Sequence, residues 1–257
     1  MPWSSTWRRR RRARCWRSCA PRGARNVTPS DAAPAPRVAI FAGPSLPPED
    51  RPQIPDFVYL PPASRGDVEA AAERYDAIVL IDGVFHHDLA PSPKECLVAC
   101  RRVPTIGAAS MGALRAAECW PYGLRPIGAI ARWYIREVID GDDEVAVLVH
   151  PETHHALTVP SVNVRYVAWL ARRRGLLNAA EAEAFIIGAR NVYYMDRSWS
   201  SALEFVPADR RDRIREIAER EGDLKRWDAR LALRASAKLT EAGGLMHPFP
   251  EMPASFA

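Results

Sequence analysis

The sequence predicts an α/β protein in which a mostly parallel sheet is flanked by helices and is followed by a helical C-terminal half. Two observations predict this class. Short apolar runs alternate with helical patterns from residue 37 to about residue 160, and helical patterns then continue alone. Parallel strands need a long crossover connection, usually a helix, so the alternation favours a parallel sheet. The chain has 257 residues and 47% hydrophobic content, enough for a substantial core.

Three apolar runs predict buried strands: 38–43 (VAIFAG), 77–82 (AIVLID) and 103–108 (VPTIGA). A fourth run, 144–149 (EVAVLV), is a candidate for an additional strand. Between the first three runs we expect helices at 67–75, with Asp67 as the N-cap, and at 93–102, with Pro93 in the first turn.

The C-terminal half is expected to be helical at 162–175, at 179–191 and in a charged amphipathic run at 209–239. The chain is therefore divided into three regions. Residues 1–36 are predicted to be a disordered extension, basic and rich in Pro and Ala; residues 37–160 form the α/β core; and residues 161–257 form a helical region packed on or beside that core.

The net charge of +5 is concentrated in residues 7–25, which contain nine arginines and no acidic residue. The remainder is close to neutral, so composition gives no argument for nucleic-acid binding, although a basic tail could touch RNA or an acidic partner. Apolar runs stay well below the ~18 residues that a membrane span needs, so we expect a cytoplasmic protein.

Five cysteines make an odd count without a C-x-x-C pair: Cys15, Cys19, Cys96, Cys100 and Cys119. This pattern indicates neither a disulfide framework nor a zinc ribbon. We expect reduced thiols, with Cys96 and Cys100 acting as small buried hydrophobic residues on one helix face.

The candidate site lies where strands end and helices begin, because unpaired N–H groups point into the cleft at the carboxyl edge of a parallel sheet. Asp82 and Gly83 follow one predicted strand, Lys94 opens the next helix, and Ser110 follows the third strand. We therefore expect a hydrolase-like site at the strand C-termini. Arg115 is a further candidate for substrate binding, although a helix-surface or fold-stabilising ion pair with Glu118 is the favoured interpretation.

Ser110 has small residues two positions before and after it, in Ala108-Ala109-Ser110-Met111-Gly112. A tight strand-to-helix turn of this kind can expose a serine hydroxyl as a nucleophile. The N–H groups of Met111 and Gly112, at the positive end of the helix, could stabilise an oxyanion. The alternative is that Ser110 only caps the helix.

Lysine is rare here, since the 36 basic residues include only Lys94, Lys225 and Lys238. Arginine cannot give up its proton, whereas a partly desolvated lysine can act as a general base, and only Lys94 falls among the cleft candidates. The alternative is that Lys94 is an ordinary surface cation.

The histidines offer competing chemistry. His86 and His87, followed by Asp88, are the rival bases in a Ser/His/Asp arrangement. The later group of His150, His154 and His155 does not have clear metal-ligand spacing, and His247 lies near the end of the sequence, so we expect neither a metal nor a cofactor.

Five blocks, in the expected order, resemble the TfuA-like family: 41–50 (FAGPSLPPED), 59–68 (YLPPASRGDV), 81–97 (IDGVFHHDLAPSPKECL), 105–118 (TIGAASMGALRAAE) and 141–149 (GDDEVAVLV). The resemblance covers about residues 37–165. Residues 150–165 follow the family pattern only loosely, and the helical half that follows is variable, so the resemblance does not transfer partner specificity.

The resemblance implies an accessory protein for YcaO-type enzymes, which convert a peptide-backbone amide to a thioamide. It implies hydrolysis of the thiocarboxylated C-terminus of a ThiS-like, ubiquitin-fold sulfur carrier, with release of sulfide, and help in binding the precursor peptide. The family's Ser/Lys pair would fall on Ser110 and Lys94, and Asp82 and Arg115 lie in matching blocks. Two alternatives stay open: a non-catalytic adaptor that docks the YcaO enzyme and its peptide, and a general serine esterase that uses His86 or His87.

Overall fold

The computed structural model describes residues 37–85 and 89–241, so the expected extension at 1–36 and the histidine pair at 86–87 lie outside the described residues. One five-stranded sheet has the order β2-β1-β3-β4-β5, with all neighbours parallel. Its strands are β1 (Val38–Phe41), β2 (Phe57–Leu60), β3 (Ala77–Leu80), β4 (Thr105–Ala108) and β5 (Arg125–Ile127). The α/β class and the parallel sheet are confirmed.

Nine α-helices fall within the described residues: α1 (Asp67–Ala71), α2 (Pro93–Arg102), α3 (Met111–Cys119), α4 (Gly128–Ile135), α5 (Ser161–Arg173), α6 (Ala179–Asn191), α7 (Trp199–Leu203), α8 (Arg211–Glu221) and α9 (Leu224–Glu241). The helical C-terminal half is confirmed. The charged run at 209–239, expected as one amphipathic stretch, is divided into α8 and α9 at Gly222 and Asp223. In the described part of the chain, every helix is too short or too polar to traverse a lipid bilayer.

The strands alternate their side chains between two apolar layers, as the period of two in a strand requires. Ala39, Ile78 and Leu80 pack on the face covered by α1, α2 and α3. Ile40 and Val79 point to the opposite face. That second face is covered by α9, through the buried residues Ala229, Ala232 and Leu233.

Two strands were missed, and one predicted strand is wrong. β2 is an edge strand whose last three residues are only partly buried, although its sequence, FVYL, is apolar. The three-residue β5 contains Pro126 and therefore lacks the apolar run of a central strand. The run 144–149, by contrast, is not part of the sheet. It follows a short 3-10 turn, and only Val149 forms an isolated antiparallel bridge, with Ala156.

Helix starts follow local capping chemistry. α2 begins at Pro93 as predicted, and Ser92 and Glu95 form a capping box around its first turn. α1 differs in detail, because its N-cap is Gly66 with a φ of 90°, and Asp67 is the first helical residue. The Asp67 carboxylate instead accepts a hydrogen bond from the Ser64 N–H at 2.8 Å.

Helices α5 to α8 bury an apolar core of their own, which includes Val167, Phe185, Leu203 and Ile214. α9 then leaves this core and packs on the sheet. Its Asp228 carboxylate is buried and accepts hydrogen bonds from the N–H groups of Ala129 (2.9 Å) and Ile130 (2.8 Å), at the start of α4. The C-terminal helix is therefore part of the α/β core.

Candidate active site

Ser110 occupies a strained turn between β4 and α3. The Ser110 N–H donates to the Ala108 carbonyl at 2.8 Å, which closes a three-residue γ-turn around Ala109. Ala109 has a φ of 66°, in the left-handed region that alanine rarely adopts. Ser110 is only 2% exposed, so the turn does not expose the residue as expected. It is the N-cap residue of α3, but its side chain makes no capping hydrogen bond. The alternative that the hydroxyl serves as a helix cap therefore has no support in this geometry.

Glycine at position 112 allows α3 to start directly against the sheet. A Cβ atom at Gly112 would lie 1.8 Å from the Leu80 carbonyl oxygen. The Gly112 N–H donates to the Ile81 carbonyl at 3.1 Å, so this predicted oxyanion donor is already engaged. The Met111 N–H has no hydrogen-bond acceptor within the described residues, so of the two predicted donors it is the one that is free.

Lys94 is an exposed residue in the first turn of α2. No hydrogen bond or ion pair joins it to Ser110 in the described part of the chain. Its neighbour Pro93 accepts a hydrogen bond from the Cys119 thiol at 3.6 Å, and Cys119 lies nine residues beyond Ser110, which is about 13 Å along a helix. The Ser110/Lys94 pair stays a prediction, because these contacts do not bring its two members together.

The Arg115 side chain forms a hydrogen bond with the loop that precedes α2. Its Nε donates to the Pro91 carbonyl at 2.6 Å, and its Nη1 pairs with the Glu118 carboxylate at 2.5 Å. Its side chain is only 12% exposed. These contacts give Arg115 a structural role at the junction of α2 and α3, and its expected part in substrate binding stays a prediction.

Asp82 and Gly83 both hold loops at the carboxyl edge of the sheet. The buried Asp82 carboxylate accepts hydrogen bonds from the Gly43 N–H (2.8 Å), the Ser45 N–H (3.1 Å) and the Ser45 hydroxyl (2.6 Å). Asp82 thereby fixes the loop after β1. Gly83 pairs with Ala63 in an isolated bridge and packs so closely on Met111 that an added Cβ would lie 2.8 Å from the Met111 Cγ.

The loop after β1 also borders a cavity of about 390 Å³. The strand that follows β1 in the chain, β2, lies on one side of β1, and the next strand, β3, lies on the other side. Ligands of open α/β sheets bind at such a switch point. The polar lining residues of the cavity include Ser45, Thr158, Asn163, Asp223, Lys225 and Arg226, and Ser198 and Glu219 line it as well. Ser110 and Lys94 do not line this cavity.

Lys225 is the residue of this region that the sequence argument missed. It lies in the first turn of α9 and is 3% exposed, and its amine donates to the Val145 carbonyl at 2.8 Å. Burial lowers the pKa of Lys225, and the negative charges of Asp82 and Asp223 oppose that change. Its rarity as one of three lysines was the only signal in the sequence.

The histidines considered as bases or metal ligands lie either outside the described residues or at the surface. His86, His87, Asp88 and His247 lie outside the described residues, so the rival base remains a hypothesis. His150, His154 and His155 are surface residues, and the His150 ring accepts hydrogen bonds from the N–H groups of Glu152 and Thr153 at 3.2 Å. Over residues 37–85 and 89–241, no three His, Cys, Asp or Glu side chains are grouped as metal ligands would be.

Cys96 and Cys119 are free, buried thiols in the layer between the sheet and α2 and α3, and Cys100 is a half-buried free thiol beside them. Burial raises the pKa of all three, that of Cys119 to about 11. Because the thiolate is the reactive form, these cysteines are poor nucleophiles, and their expected packing role is confirmed.

Comparison with known proteins gives one relationship. The model of the family described as TfuA-like protein matches residues 82–198, a segment that runs from Asp82 through the Ser110 turn to the start of α7. No curated protein matches the chain. The matched segment contains Lys94, Ser110 and Arg115, and over these residues the chain is similar to the TfuA-like family, which supports the resemblance found in the sequence.

Proposed function

We propose that this TfuA-like protein serves YcaO-dependent thioamidation of a peptide backbone. In this proposal it hydrolyses the thiocarboxylated C-terminus of a ThiS-like sulfur carrier and releases sulfide for the YcaO enzyme. The observation that carries the proposal is the turn at Ser110: a strained strand-to-helix elbow, within the family match, whose serine hydroxyl has no capping role.

The proposed reaction has two steps. Lys94, in its neutral form, accepts the Ser110 hydroxyl proton, and the alkoxide attacks the thiocarboxylate carbon to form a C–O bond. The C–S bond breaks as Lys94 returns the proton to the sulfur, hydrosulfide leaves, and the carrier is held as an ester on Ser110. Water then hydrolyses that ester, which restores the serine and leaves a carboxylate on the carrier. The Met111 N–H, which has no acceptor within residues 37–85 and 89–241, is the donor that stabilises the oxyanion in each step.

The test is sulfide release from the thiocarboxylated carrier by the wild type, Ser110→Ala and Lys94→Ala. We expect Ser110→Ala to lose activity at least a hundredfold and Lys94→Ala to lose activity as well. Ser92→Ala, which removes a capping hydroxyl of the same residue type from α2, is the matched control for a purely structural loss. Unchanged sulfide release in both Ser110→Ala and Lys94→Ala would overturn the catalytic assignment.

A non-catalytic adaptor is the second candidate, and it is favoured by the position of Lys94. The exposed Lys94 follows Pro93, whose carbonyl contacts Cys119 far along α3 from Ser110. A docking protein needs no serine and lysine in contact. Pull-down of the YcaO enzyme and its precursor peptide by the wild type, without carrier hydrolysis, would favour this function over the first.

A further inference from the structure

The first two turns of α9 lie beside the Ser110 turn. Ala229 of α9 packs in the same buried cluster as Ala109, the residue before Ser110, and α9 also contacts β4. Leu224, the first residue of α9, packs in another buried cluster with Ala113, in the first turn of α3. The chain on both sides of Ser110 is therefore close to the start of the C-terminal helix.

Lys225, the second residue of α9, places a buried amine in this region. The amine donates to the Val145 carbonyl at 2.8 Å, and Val145 belongs to the same cluster as Ala113. The negative charge of Asp82 opposes the lowering of the Lys225 pKa, which requires the two groups to be near each other. Asp82 follows β3, and β3 pairs with β4, whose end leads into Ser110. Because paired strands lie about 4.8 Å apart, the Lys225 amine and Ser110 share one part of the carboxyl edge.

Burial gives this amine the chemistry of a base. It lowers the pKa of Lys225, because the charged form loses its contact with water. A buried lysine of this kind can be neutral at the working pH and can then accept a proton, which an arginine cannot do. In the neutral form, the hydrogen bond to Val145 uses one N–H group and leaves the lone pair of the nitrogen to accept that proton.

Lys225 also lines the cavity of about 390 Å³ at the carboxyl edge of the sheet. Other polar residues of its lining include Thr158, Asn163 and Ser198. One water molecule occupies roughly 30 Å³ in the liquid, so a polar cavity of this size has room for several waters. Ser110 does not line the cavity. Lys225 therefore belongs both to a cavity that can supply water and to the surroundings of the Ser110 turn.

We propose that Lys225 is the general base of the second step, in which water hydrolyses the ester on Ser110. The inference rests on the proposed function, which leaves the base of this step unassigned. Lys225 takes a proton from a water of the cavity, and the water oxygen forms a bond to the ester carbon. The bond between that carbon and the Ser110 oxygen then breaks, and Lys225 returns the proton to the serine oxygen. The carrier leaves as a carboxylic acid, which releases its remaining proton to solvent.

The test is the time course of sulfide release by the full chain from an excess of thiocarboxylated carrier. We expect Lys225→Met to release about one sulfide per chain in an initial burst and then to turn over about a hundredfold or more slower than the wild type. The intact mass of this variant should show the carrier ester accumulating on the protein. Lys238→Met is the matched control, because it makes the same change at an exposed lysine of α9, and it should follow the wild type.

Two further measurements separate a role as a base from a structural role. Lys225→Arg keeps a positive charge and N–H donors at this position but cannot accept a proton, so we expect the same burst and slow turnover. Hydroxylamine is a stronger nucleophile than water and attacks esters without help from a base. We therefore expect it to speed the turnover of Lys225→Met by about tenfold or more, which a folding defect would not allow.

The outcomes distinguish this inference from the proposed function. Turnover at the wild-type rate by Lys225→Met or Lys225→Arg would overturn the role of Lys225, and sulfide release that depends on Ser110 would then leave the proposed function intact. Loss of the burst together with turnover in folded Lys225→Met would overturn that role too, because Lys225 would then act before the ester forms. Sulfide release at the wild-type rate by Ser110→Ala would overturn the proposed function, and this inference with it.

Discussion

Ala109 adopts an unfavourable backbone conformation next to Ser110. Only three non-glycine residues in the described part of the chain have a positive φ, and Ala109 is the one beside the proposed nucleophile. A left-handed backbone costs an ordinary residue roughly 1 to 2 kcal/mol, so packing around the turn must hold it in place. The close approach of Gly112 to the Leu80 carbonyl supplies part of that packing.

Substitution of Gly112 is expected to be among the most damaging single changes in this region. In Gly112→Ala the added Cβ would overlap the Leu80 carbonyl oxygen, and a backbone atom cannot swing aside as a side chain can. We expect a loss of about 3 kcal/mol or more in the free energy of unfolding, measured by denaturant titration. Gly175→Ala is the control, because its Cβ meets no atom within 4 Å and only its φ of 69° is unfavourable. Equal losses in both variants would contradict the steric explanation.

The position of Ser110 at a strand-to-helix turn is predictable from the sequence, because small neighbours and a strand end are local signals. The burial of Lys225 is not predictable in this way. That lysine lies in a charged amphipathic run whose pattern is typical of a solvated helix face, and its burial depends on α9 packing back over the sheet. The contact between Pro93 and Cys119, which sets the position of Lys94, is likewise a tertiary feature.

At the scale of elements, the predicted central strands β1, β3 and β4 were identifiable because burial on both faces makes their sequences continuously apolar. The edge strand β5 (RPI) lacks that signal, whereas β2 (FVYL) has it and was still missed. The run 144–149 is also apolar but is not a strand, and its first residue, Glu144, contacts the helical half instead of the sheet. The Glu144 carboxylate is fully buried and pairs with Arg165 of α5 and Arg190 of α6.

Glu144 therefore joins the segment after α4 to the helical half, and its removal leaves two arginines without their partner. We expect Glu144→Ala to lower the free energy of unfolding by roughly 3 to 5 kcal/mol, because breaking a buried pair leaves an uncompensated charge. The matched control is Glu216→Ala, which breaks the exposed pair with Arg220 and should cost less than about 0.5 kcal/mol. A loss for Glu144→Ala as small as that of the control would show that the buried pair does not stabilise the fold.

At the scale of the whole molecule, α9 connects the helical half to the sheet and the sheet to α4. Its Asp228 is the buried carboxylate that contacts the start of α4. Burial raises the pKa of Asp228 to about 7, although the N–H groups of Ile130 and Ala129 and the charge of Arg132 act in the opposite direction. The attachment of α9 should therefore respond to pH.

The pKa of Asp228 is about 7 in the folded state and 3.8 in the unfolded state. Between these two pH values the folded state therefore keeps a proton on Asp228 that the unfolded state releases. The contribution of Asp228 to stability is full below about pH 4 and declines as pH rises to 7, by at most about 4 kcal/mol. We expect Asp228→Asn to show a smaller decline than the wild type in unfolding measured from pH 4 to 7. Asp209→Asn, an exposed control, should follow the wild type. Parallel curves for the wild type and Asp228→Asn would contradict the raised pKa.

The proposed attack of Ser110 on the carrier can be tested by measuring the mass of the protein quenched during turnover of the thiocarboxylated carrier. We expect a covalent carrier adduct whose attachment maps to the peptide containing Ser110 and which is absent from Ser110→Ala. Sulfide release at the wild-type rate by Ser110→Ala, or an adduct on another residue in the wild type, would contradict it.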